Sequence, residues 1–404
     1  MNKNIVTILT LVIMCLFLIV QTGCEYDVAE PQWDKPYTEP AEPEITGIIP
    51  ADHAPAGVNQ ITITGNNFAS VQENNKVYFN ATPADIIDFS PTSITVLRPN
   101  VVSDSAFVKL VSYDALVVAK RGPYKIDKVV ENFGRFLDKL MLSAIGVDAN
   151  ENVWVAETGT HDITKISPNG DRTLISTNEK VVTDIKFLQD GSLILLQDHR
   201  DVAVMNPSAG EITVWKSVGK RVKFGDFDAN GNFYAGGRRS GVVVARNDDT
   251  VEALDLFARD EILGLRVFNN YVYTYVDIGS PDEQTPDFSI WRIPILDAAG
   301  TLGTQEVVWE WNKIDAAKDS AESLLNTFAI SDEGDLLFGS DHTQSLDMLY
   351  TDGHWEEFYK GIVATPSAIV VWGNNQYAYM VQGAPEWTIF RIDMGRPGAP
   401  YYRP

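Results

Sequence analysis

The side chains best suited to chemistry recur at one position of a repeat, in polar turns that each follow a β-type run. The turns are Thr160-His161, Asp198-His199, Arg238-Arg239, Asp277, Asp341-His342 and Glu386-Trp387, and they hold three of the chain's five histidines. Their imidazole, guanidinium, carboxylate and indole groups can hydrogen-bond or stack on a polar ligand. The predicted ligand-binding residues are His161, His199, Arg238, Arg239, Asp277, His342, Glu386 and Trp387. The alternative is that these turns bond neighbouring repeats or contact water.

Motifs for catalysis or metal binding are missing from the sequence, which has no HExxH, GxSxG, Walker-type loop or paired cysteines. Neutral imidazole is a common metal ligand, but His161, His199 and His342 would have to converge at about 2 Å from one ion. Adjacent carboxylates such as Asp248-Asp249 would point to opposite faces of a strand. We therefore predict no catalytic residue, no metal and no cofactor.

The elements that position these turns repeat along the chain. Each repeat has an acidic or amide turn between two strand-like runs, as in GVDANENVWVAETGTHDITKISPNG, and the turns are anchored at Glu151, Gly191, Gly231, Asn270, Gly334 and Asn375. Successive anchors are 40, 40, 39, 64 and 41 residues apart. Short strands at this spacing are typical of propeller blades. The long fourth step indicates a blade with two enlarged loops, so the sequence predicts a six-bladed β-propeller.

Closure of the ring is also predicted. The tail after Thr388–Asp393 is too rich in Gly and Pro for a long outer strand. The stretch Tyr124–Leu137 has strand-like residues and no repeat position, so we expect it to supply the outer strand of the sixth blade.

The tryptophans divide into two groups. Trp387 follows Gly383-Ala384-Pro385 in a turn, where an indole can stack on a sugar ring. Five other tryptophans lie in or beside strand-like runs, and we expect their side chains to pack between blades. They are Trp154, Trp215, Trp309, Trp311 and Trp355.

Composition limits the partners. The net charge of −23 argues against nucleic acid and against an anionic membrane surface, both of which need clustered Lys and Arg. We predict two domains, because about 380 residues remain after the leader and one domain typically has roughly 100 to 200.

The N-terminus has the pattern of a targeting segment. Lys3 precedes the apolar run Ile5–Val20, and Gly23 precedes Cys24. This arrangement resembles the lipobox of bacterial lipoproteins, which implies cleavage after residue 23 and lipidation of Cys24. Residues 24–42 are acidic and proline-containing and are predicted to form a disordered tether. The predicted location is the outer membrane, lipid-anchored and facing the cell exterior.

Short alternating runs bounded by Gly, Asn and Pro follow the tether and predict about seven strands of an immunoglobulin-like sandwich over residues 43–126. Pro43-Glu44-Ile45, the segment ITITGNNF and Pro99 closing ITVLRP resemble the IPT/TIG domain, usually a spacer or binding module. The blades over residues 127–404 resemble NHL repeats, best in VDANENVWVAETGTHDITKI.

The order of leader, tether, sandwich and propeller resembles accessory lipoproteins of bacterial glycan-uptake systems. That resemblance implies a non-catalytic lipoprotein that binds extracellular carbohydrate or a similar polymer through the propeller face. Two alternatives remain open: a propeller enzyme such as a metal-dependent lyase or lactonase, and a protein-interaction scaffold in the cell envelope.

Overall fold

The computed structural model describes residues 41–113, 115–134, 141–177, 180–279, 288–310, 325–384 and 386–404. In these ranges the chain is built from β-strands, with one short 3₁₀ helix at Gln72–Asn74. None of their helices is long and apolar enough to cross a membrane. The predicted leader, Cys24 and most of the tether lie outside the described residues.

An immunoglobulin-like sandwich comes first. Its strands are β1 (Glu44–Ile49), β2 (His53–Ala54), β3 (Gln60–Asn66), β4 (Asn75–Phe79), β5 (Thr82–Ala84), β6 (Ile86–Ser90), β7 (Ser93–Leu97), β8 (Ser103–Ser112) and β9 (Ala119–Ile126). They form two sheets, ordered β1-β3-β7-β6 and β2-β9-β8-β4-β5. Alternate residues of β3, Ile61 and Ile63, are fully buried between the sheets. The predicted sandwich is confirmed, and the strands beyond the expected seven include the short edge strands β2 and β5.

Six four-stranded antiparallel sheets form the propeller. The first blade contains β11 (Leu142–Val147), β12 (Val153–Glu157), β13 (Asp162–Ile166) and β14 (Arg172–Thr177). The second contains β15 (Asp184–Phe187), β16 (Leu193–Leu196), β17 (His199–Met205) and β18 (Ile212–Val222). The third contains β19 (Phe224–Phe227), β20 (Phe233–Gly236), β21 (Val242–Ala245) and β22 (Val251–Leu254).

The fourth and fifth blades contain β23 (Glu261–Phe268), β24 (Tyr271–Asp277), β25 (Phe288–Pro294) and β26 (Glu306–Glu310); and β27 (Leu325–Ile330), β28 (Leu336–Ser340), β29 (Leu346–Leu349) and β30 (Trp355–Glu357). The sixth contains β31 (Ser367–Trp372), β32 (Tyr377–Gln382), β33 (Ile389–Asp393) and, as its outer strand, β10 (Val130–Phe133). The fourth blade, which contains the long interval between anchors, is one complete four-stranded sheet. The prediction of six blades is therefore confirmed.

The outer strand of the sixth blade comes from the start of the propeller, because β10 pairs antiparallel with β33. Glu131 of β10 forms an ion pair with Arg391 of β33. The predicted closing stretch is nevertheless divided. Its first residues, Tyr124–Ile126, stay in β9 of the sandwich, and residues 135–137 lie outside the described ranges. Closure by Val130–Phe133 is confirmed.

The recurring Asp of the repeat fixes the turn between the first two strands of a blade. In the first blade the Asp148 carboxylate accepts hydrogen bonds from the backbone N–H of Asn150 and Asn152 and from the indole N–H of Trp154. In the third blade Asp228 accepts the equivalent bonds, with the Tyr234 hydroxyl replacing the indole. These bonds explain why the DANxN pattern returns.

The sandwich is fixed against the fifth and sixth blades. Tyr359 is fully buried, its hydroxyl donates to the Asp393 carbonyl at 2.8 Å, and its backbone N–H donates to the Asn59 amide oxygen at 2.9 Å. The Arg98 guanidinium lies 6.0 Å from the Tyr359 ring centroid and donates to four backbone carbonyls, including Asp127 at 2.6 Å. The two domains therefore share an ordered polar interface.

Candidate binding site in the central channel and at its rim

The first strands of the six blades surround a central channel, and each packs against the next around the ring. A cavity of about 280 Å³ lies in this channel. All six first strands contribute to its lining, together with Tyr401 from the C-terminal tail. The strands begin at the end of the channel where the turns after the second strands also emerge. We call this end the open end and the opposite one the closed end.

The C-terminal tail crosses the closed end. The Gly398 N–H donates to the Gly373 carbonyl at 3.1 Å, and the Ala399 N–H donates to the Ile330 carbonyl at 2.8 Å. At the end of the tail, the Pro404 carbonyl accepts from the backbone N–H of the second blade's Gln189 at 3.0 Å. The tail thus connects separate blades across the channel.

Tyr401 forms part of the cavity floor. Its ring centroid lies 3.7 Å from the Arg266 guanidinium carbon, a cation–π contact, and Arg266 also donates to the Ala399 carbonyl at 3.3 Å. Burial raises the pKa of the Tyr401 hydroxyl, although the Arg266 charge opposes this. The phenol is therefore neutral at physiological pH.

Asp226 balances the charge of Arg266. Its carboxylate pairs with the guanidinium and accepts hydrogen bonds from the backbone N–H of Phe227 at 3.0 Å and of Val267 at 2.9 Å. Both charged side chains are buried, with 7% of Arg266 and 1% of Asp226 exposed. This pair links the third blade to the fourth.

A second buried pair lies one blade earlier. Asp184 accepts from Lys186 Nζ at 2.7 Å and from the Gly225 N–H of the next blade at 3.1 Å. Burial raises the pKa of the Asp184 carboxyl, and Lys186 opposes the shift. Both channel carboxylates therefore have cationic and backbone partners.

These charges were missed in the sequence analysis, although a signal exists. Lys186, Asp226 and Arg266 are spaced by 40 residues in consecutive blades, the repeat step itself. Each lies among apolar residues of a first strand, between Ile185 and Phe187, Gly225 and Phe227, and Leu265 and Val267. A charged residue at a matching position of successive first strands indicates a channel position.

Neutral polar groups line the other part of the cavity. Ser143, Thr183 and Thr327 each donate a hydroxyl hydrogen bond to a backbone carbonyl, and the Asn326 amide donates to the Ser367 carbonyl at 2.7 Å. Each hydroxyl uses its single donor in this bond, so the hydroxyl oxygens and the Asn326 amide oxygen remain as acceptors. Apolar Leu263, Phe328 and Ile369 lie among them. The cavity thus combines apolar surface with hydrogen-bond acceptors.

Three of the predicted rim residues come together around Glu261 at the open end. Arg238 forms a β-bridge with Glu261, and its Nε lies 4.0 Å from a Glu261 oxygen. Asp277 is the strand partner of Glu261, and the Arg239 backbone N–H donates to the neighbouring Asp260 carbonyl at 2.8 Å. Glu261 also accepts from Lys223 Nζ at 2.6 Å, and Lys223 lines the cavity. This cluster connects the rim to the channel.

The other predicted residues lie on separate blades. His161 precedes β13, His199 begins β17, and His342 lies between β28 and β29. In the described part of the chain, no group of three or more His, Cys, Asp or Glu side chains is arranged to hold a metal ion, so the three imidazoles do not converge. The His199 Nδ1 accepts a hydrogen bond from the Asp201 N–H at 3.1 Å.

Glu386 and Trp387 occupy the turn before β33. Glu386 is exposed, whereas Trp387 is half-buried and packs against the apolar core between the sixth and first blades. The strand tryptophans are more deeply placed: Trp154 is buried, and Trp215, Trp309 and Trp355 are partly buried in inter-blade cores. Trp311 lies outside the described residues. Trp387 therefore offers one part of its ring to solvent and uses the rest in packing.

Comparison with known proteins identifies the first domain and the fold of the second. Residues 43–118 match the model of the IPT/TIG domain family. No curated protein sequence matches the chain.

Solved structures with the same fold include an auxiliary nutrient binding protein from Bacteroides thetaiotaomicron VPI-5482, with a TM-score of 0.51 and 13% identity over 88% of this chain and 98% of that chain. A protein of unknown function from the same organism has a TM-score of 0.50 and 12% identity, covering 88% and 99%. A putative gluconolactonase has a TM-score of 0.51 and 13% identity, covering 68% and 94%. The chain therefore consists of an IPT/TIG domain followed by a six-bladed β-propeller.

Proposed function

We propose that this protein is a surface-exposed outer-membrane lipoprotein that binds extracellular carbohydrate, or a similar polymer, without catalysis, through the open end of its propeller. The observation that carries the proposal is the asymmetry of the channel. Its own C-terminal tail closes one end, while polar and apolar groups line a cavity toward the other. A closed floor below a mixed lining is the geometry of a small-molecule site.

The lining suits a sugar. Sugar hydroxyls donate hydrogen bonds, and Ser143, Thr183 and Asn326 retain oxygen acceptors. The apolar face of a sugar ring can lie against Phe328 or Leu263. The volume of about 280 Å³ is close to the lower limit of ligand pockets, roughly 300 Å³. We therefore assign to the cavity the end of a glycan chain or a single sugar.

The rim would contact the rest of the polymer. Arg238, Arg239, Asp277 and Glu386 offer charged or hydrogen-bonding groups, His161, His199 and His342 offer imidazoles, and Trp387 offers part of an indole face. One structure with the same fold is named an auxiliary nutrient binding protein, and this role suits the site described. No cofactor forms part of the proposal.

The enzyme alternative, a metal-dependent lyase or lactonase, is less well supported. A metal or a general base needs a carboxylate with free lone pairs, whereas Asp184 and Asp226 are both occupied by cations and backbone N–H groups. The scaffold alternative has no specific observation in its favour.

The binding proposal is tested by calorimetry of the full chain against a panel of neutral and acidic oligosaccharides. Thr327→Val keeps the shape of a side chain that lines the cavity but removes its hydroxyl. We therefore expect this variant to bind the sugar roughly 10-fold more weakly than the wild-type protein does. The matched control is Thr173→Val, at an exposed position of β14. Failure of every glycan to bind would remove the proposal.

The location is tested separately. Cys24→Ala should move the protein from the membrane fraction to a soluble one, because the lipid is the proposed anchor. Protease added to intact cells should digest the wild-type protein if it faces the exterior. Protection of the chain in intact cells, with digestion after lysis, would contradict surface exposure.

A further inference from the structure

Six exposed basic side chains lie on the open-end face of the second and third blades. We call them the basic sector, and they are Arg200, Lys220, Arg221, Arg238, Arg239 and Arg259. Arg221 and Arg238 leave 65% and 69% of their side chains exposed. A concentration of cations is unexpected in a chain with 55 acidic and 32 basic residues.

The basic sector is continuous across the two blades. His199 pairs with Val222 and Asp201 with Ser217, so Arg200 lies opposite the irregular stretch that carries Lys220 and Arg221. Directly after this stretch, the Lys223 N–H donates to the Gly236 carbonyl at 2.7 Å, which places the strand end beside the turn of Arg238 and Arg239.

The sector then reaches the connection to the fourth blade. The Arg239 N–H donates to the Asp260 carbonyl at 2.8 Å, next to Arg259. Hydrogen-bonded backbone thus connects all the segments that carry the six cations.

Carboxylates near the basic sector do not neutralise it. Arg221 pairs with Asp198 at 2.8 Å, and Arg238 lies 4.0 Å from Glu261, which is itself bound by Lys223. Asp255 is exposed nearby. Ion pairs at such exposed guanidinium groups are weak, so a ligand anion can compete for them. The six cations are all exposed, whereas among the carboxylates beside them Asp255 is exposed and the others are half-buried: Asp198, Asp201, Asp260, Glu261 and Asp277.

We propose that the basic sector binds the acidic groups of a polysaccharide, so that the carbohydrate ligand carries carboxylates or sulfates. This inference rests on the proposed carbohydrate-binding function and names its ligand class. The planar guanidinium group binds carboxylate or sulfate oxygens in a bidentate manner, and five of the six cations are arginines.

The position of the basic sector beside the cavity supports a polysaccharide. Lys223 lines the cavity, and its partner Glu261 contacts Arg238 of the sector. A chain end in the cavity would therefore continue across the cations. Duplex nucleic acid is disfavoured because a cavity of about 280 Å³ can take a sugar-sized chain end but not a base-paired helix.

The experiment measures binding of the full chain to dextran, polygalacturonate, dextran sulfate and duplex DNA, at about 50 and about 200 mM salt. We expect polygalacturonate or dextran sulfate to bind at least 10-fold more tightly than dextran, with a loss of about 10-fold at the higher salt. The two acidic polymers distinguish carboxylate from sulfate as the recognised group.

Two double variants locate the site. Arg238→Gln/Arg239→Gln should weaken acidic-polymer binding about 10-fold, and so should Arg200→Gln/Lys220→Gln, which tests the sector if the first pair fails to fold. The control, Lys76→Gln/Arg121→Gln, makes the same charge change at exposed positions of the sandwich and should leave binding unchanged.

Several results would overturn the inference. Equal, salt-insensitive binding of dextran and the acidic polymers would remove it while leaving carbohydrate binding intact. Absence of binding to all polysaccharides, including neutral ones, would remove the proposed function as well. Equal binding of duplex DNA, or an equal loss in the sandwich control, would reduce the sector to non-specific attraction of polyanions.

Discussion

The two ends of the channel use charge in opposite ways. At the closed end, Arg266 and Asp226 are buried, bound to each other and to backbone groups, and covered by Tyr401. At the open end, Lys223 and Glu261 also form a pair, but 25% and 24% of their side chains remain exposed. The same pairing chemistry is therefore enclosed at one end and in contact with water at the other.

This difference separates structural from binding roles. A buried pair gives up its hydration on folding and is strongly destabilising when one partner is removed. A solvent-accessible pair contributes little to stability, and either of its charged groups can bind a ligand in place of the other group. The contacts at the closed end hold the six first strands in position, whereas at the open end these strands are in contact with solvent.

The largest expected effect comes from breaking the enclosed pair. Arg266→Met leaves the Asp226 carboxylate buried without its cation, and we expect a loss of about 3 to 5 kcal/mol in the free energy of unfolding, measured by urea denaturation. Lys223→Met at the open end should cost less than about 1 kcal/mol. Equal losses would show that the two ends do not differ as described.

The next effect concerns the floor of the cavity. Tyr401→Ala removes the ring stacked on Arg266, and we expect a loss of about 2 to 3 kcal/mol. Tyr401→Phe keeps the ring and should cost less than about 1 kcal/mol. Both would be measured by denaturation, and similar stability of the Ala and Phe variants would contradict a packing role for the tail.

A pair of asparagines compares the two ends directly. Asn326→Leu at the open end should weaken carbohydrate binding about 10-fold, because an acceptor in the cavity is lost. Asn374 at the closed end donates to Asp148 and Glu151 and accepts from Arg403. Asn374→Leu should lower stability and leave affinity unchanged. Calorimetry and denaturation on both variants measure the two effects, and the reverse pattern would exchange the assigned roles.

The smallest effect is expected at the periphery of the ring, where β10 closes the sixth blade. Hydrogen bonds from Lys128 and, to a smaller extent, from Arg391 lower the pKa of the Glu131 carboxyl, and its partial burial opposes this shift. Because the folded pKa lies below the ordinary value, the stabilisation is present above that value, about 4.3, and is lost as the pH falls through the folded pKa.

We expect about 1 kcal/mol or less from this group, since it is partly exposed. Thermal unfolding of wild type and Glu131→Gln between about pH 7 and pH 3 measures it. The two curves should converge at the acidic end. A constant difference at every pH would exclude titration of Glu131 as the cause.

Much of the ring could be predicted from sequence, because its signals are local and repeated. The turn anchors Glu151, Gly191, Gly231, Asn270 and Gly334 all have positive φ, which glycine and asparagine tolerate best. The closing stretch Tyr124–Leu137 is predicted by exclusion, because it has no place in any repeat, and the closing strand within it is Val130–Phe133.

The floor of the channel could not be predicted in the same way. Residues 398–404 occur once, and their hydrogen bonds reach Ile330, Gly373 and Gln189, which are distant in sequence. The half-buried position of Trp387 likewise depends on packing against a core to which other segments contribute, including Phe133 and Leu142. Such contacts leave no periodic signal in the sequence. The buried charges Lys186, Asp226 and Arg266 do leave one, because they are spaced by 40 residues.

The pairing of β10 with β33 determines the order in which the molecule can assemble. Glu131 and Arg391 are 260 residues apart, so the sixth blade cannot be completed until nearly the whole chain is available. The sandwich needs no residue beyond Ile126 for its strands and can form first. Loop closure over such a distance is slow. A polypeptide ending before Ile389 would retain unpaired edges on β10 and β32, which makes late truncation a source of aggregation.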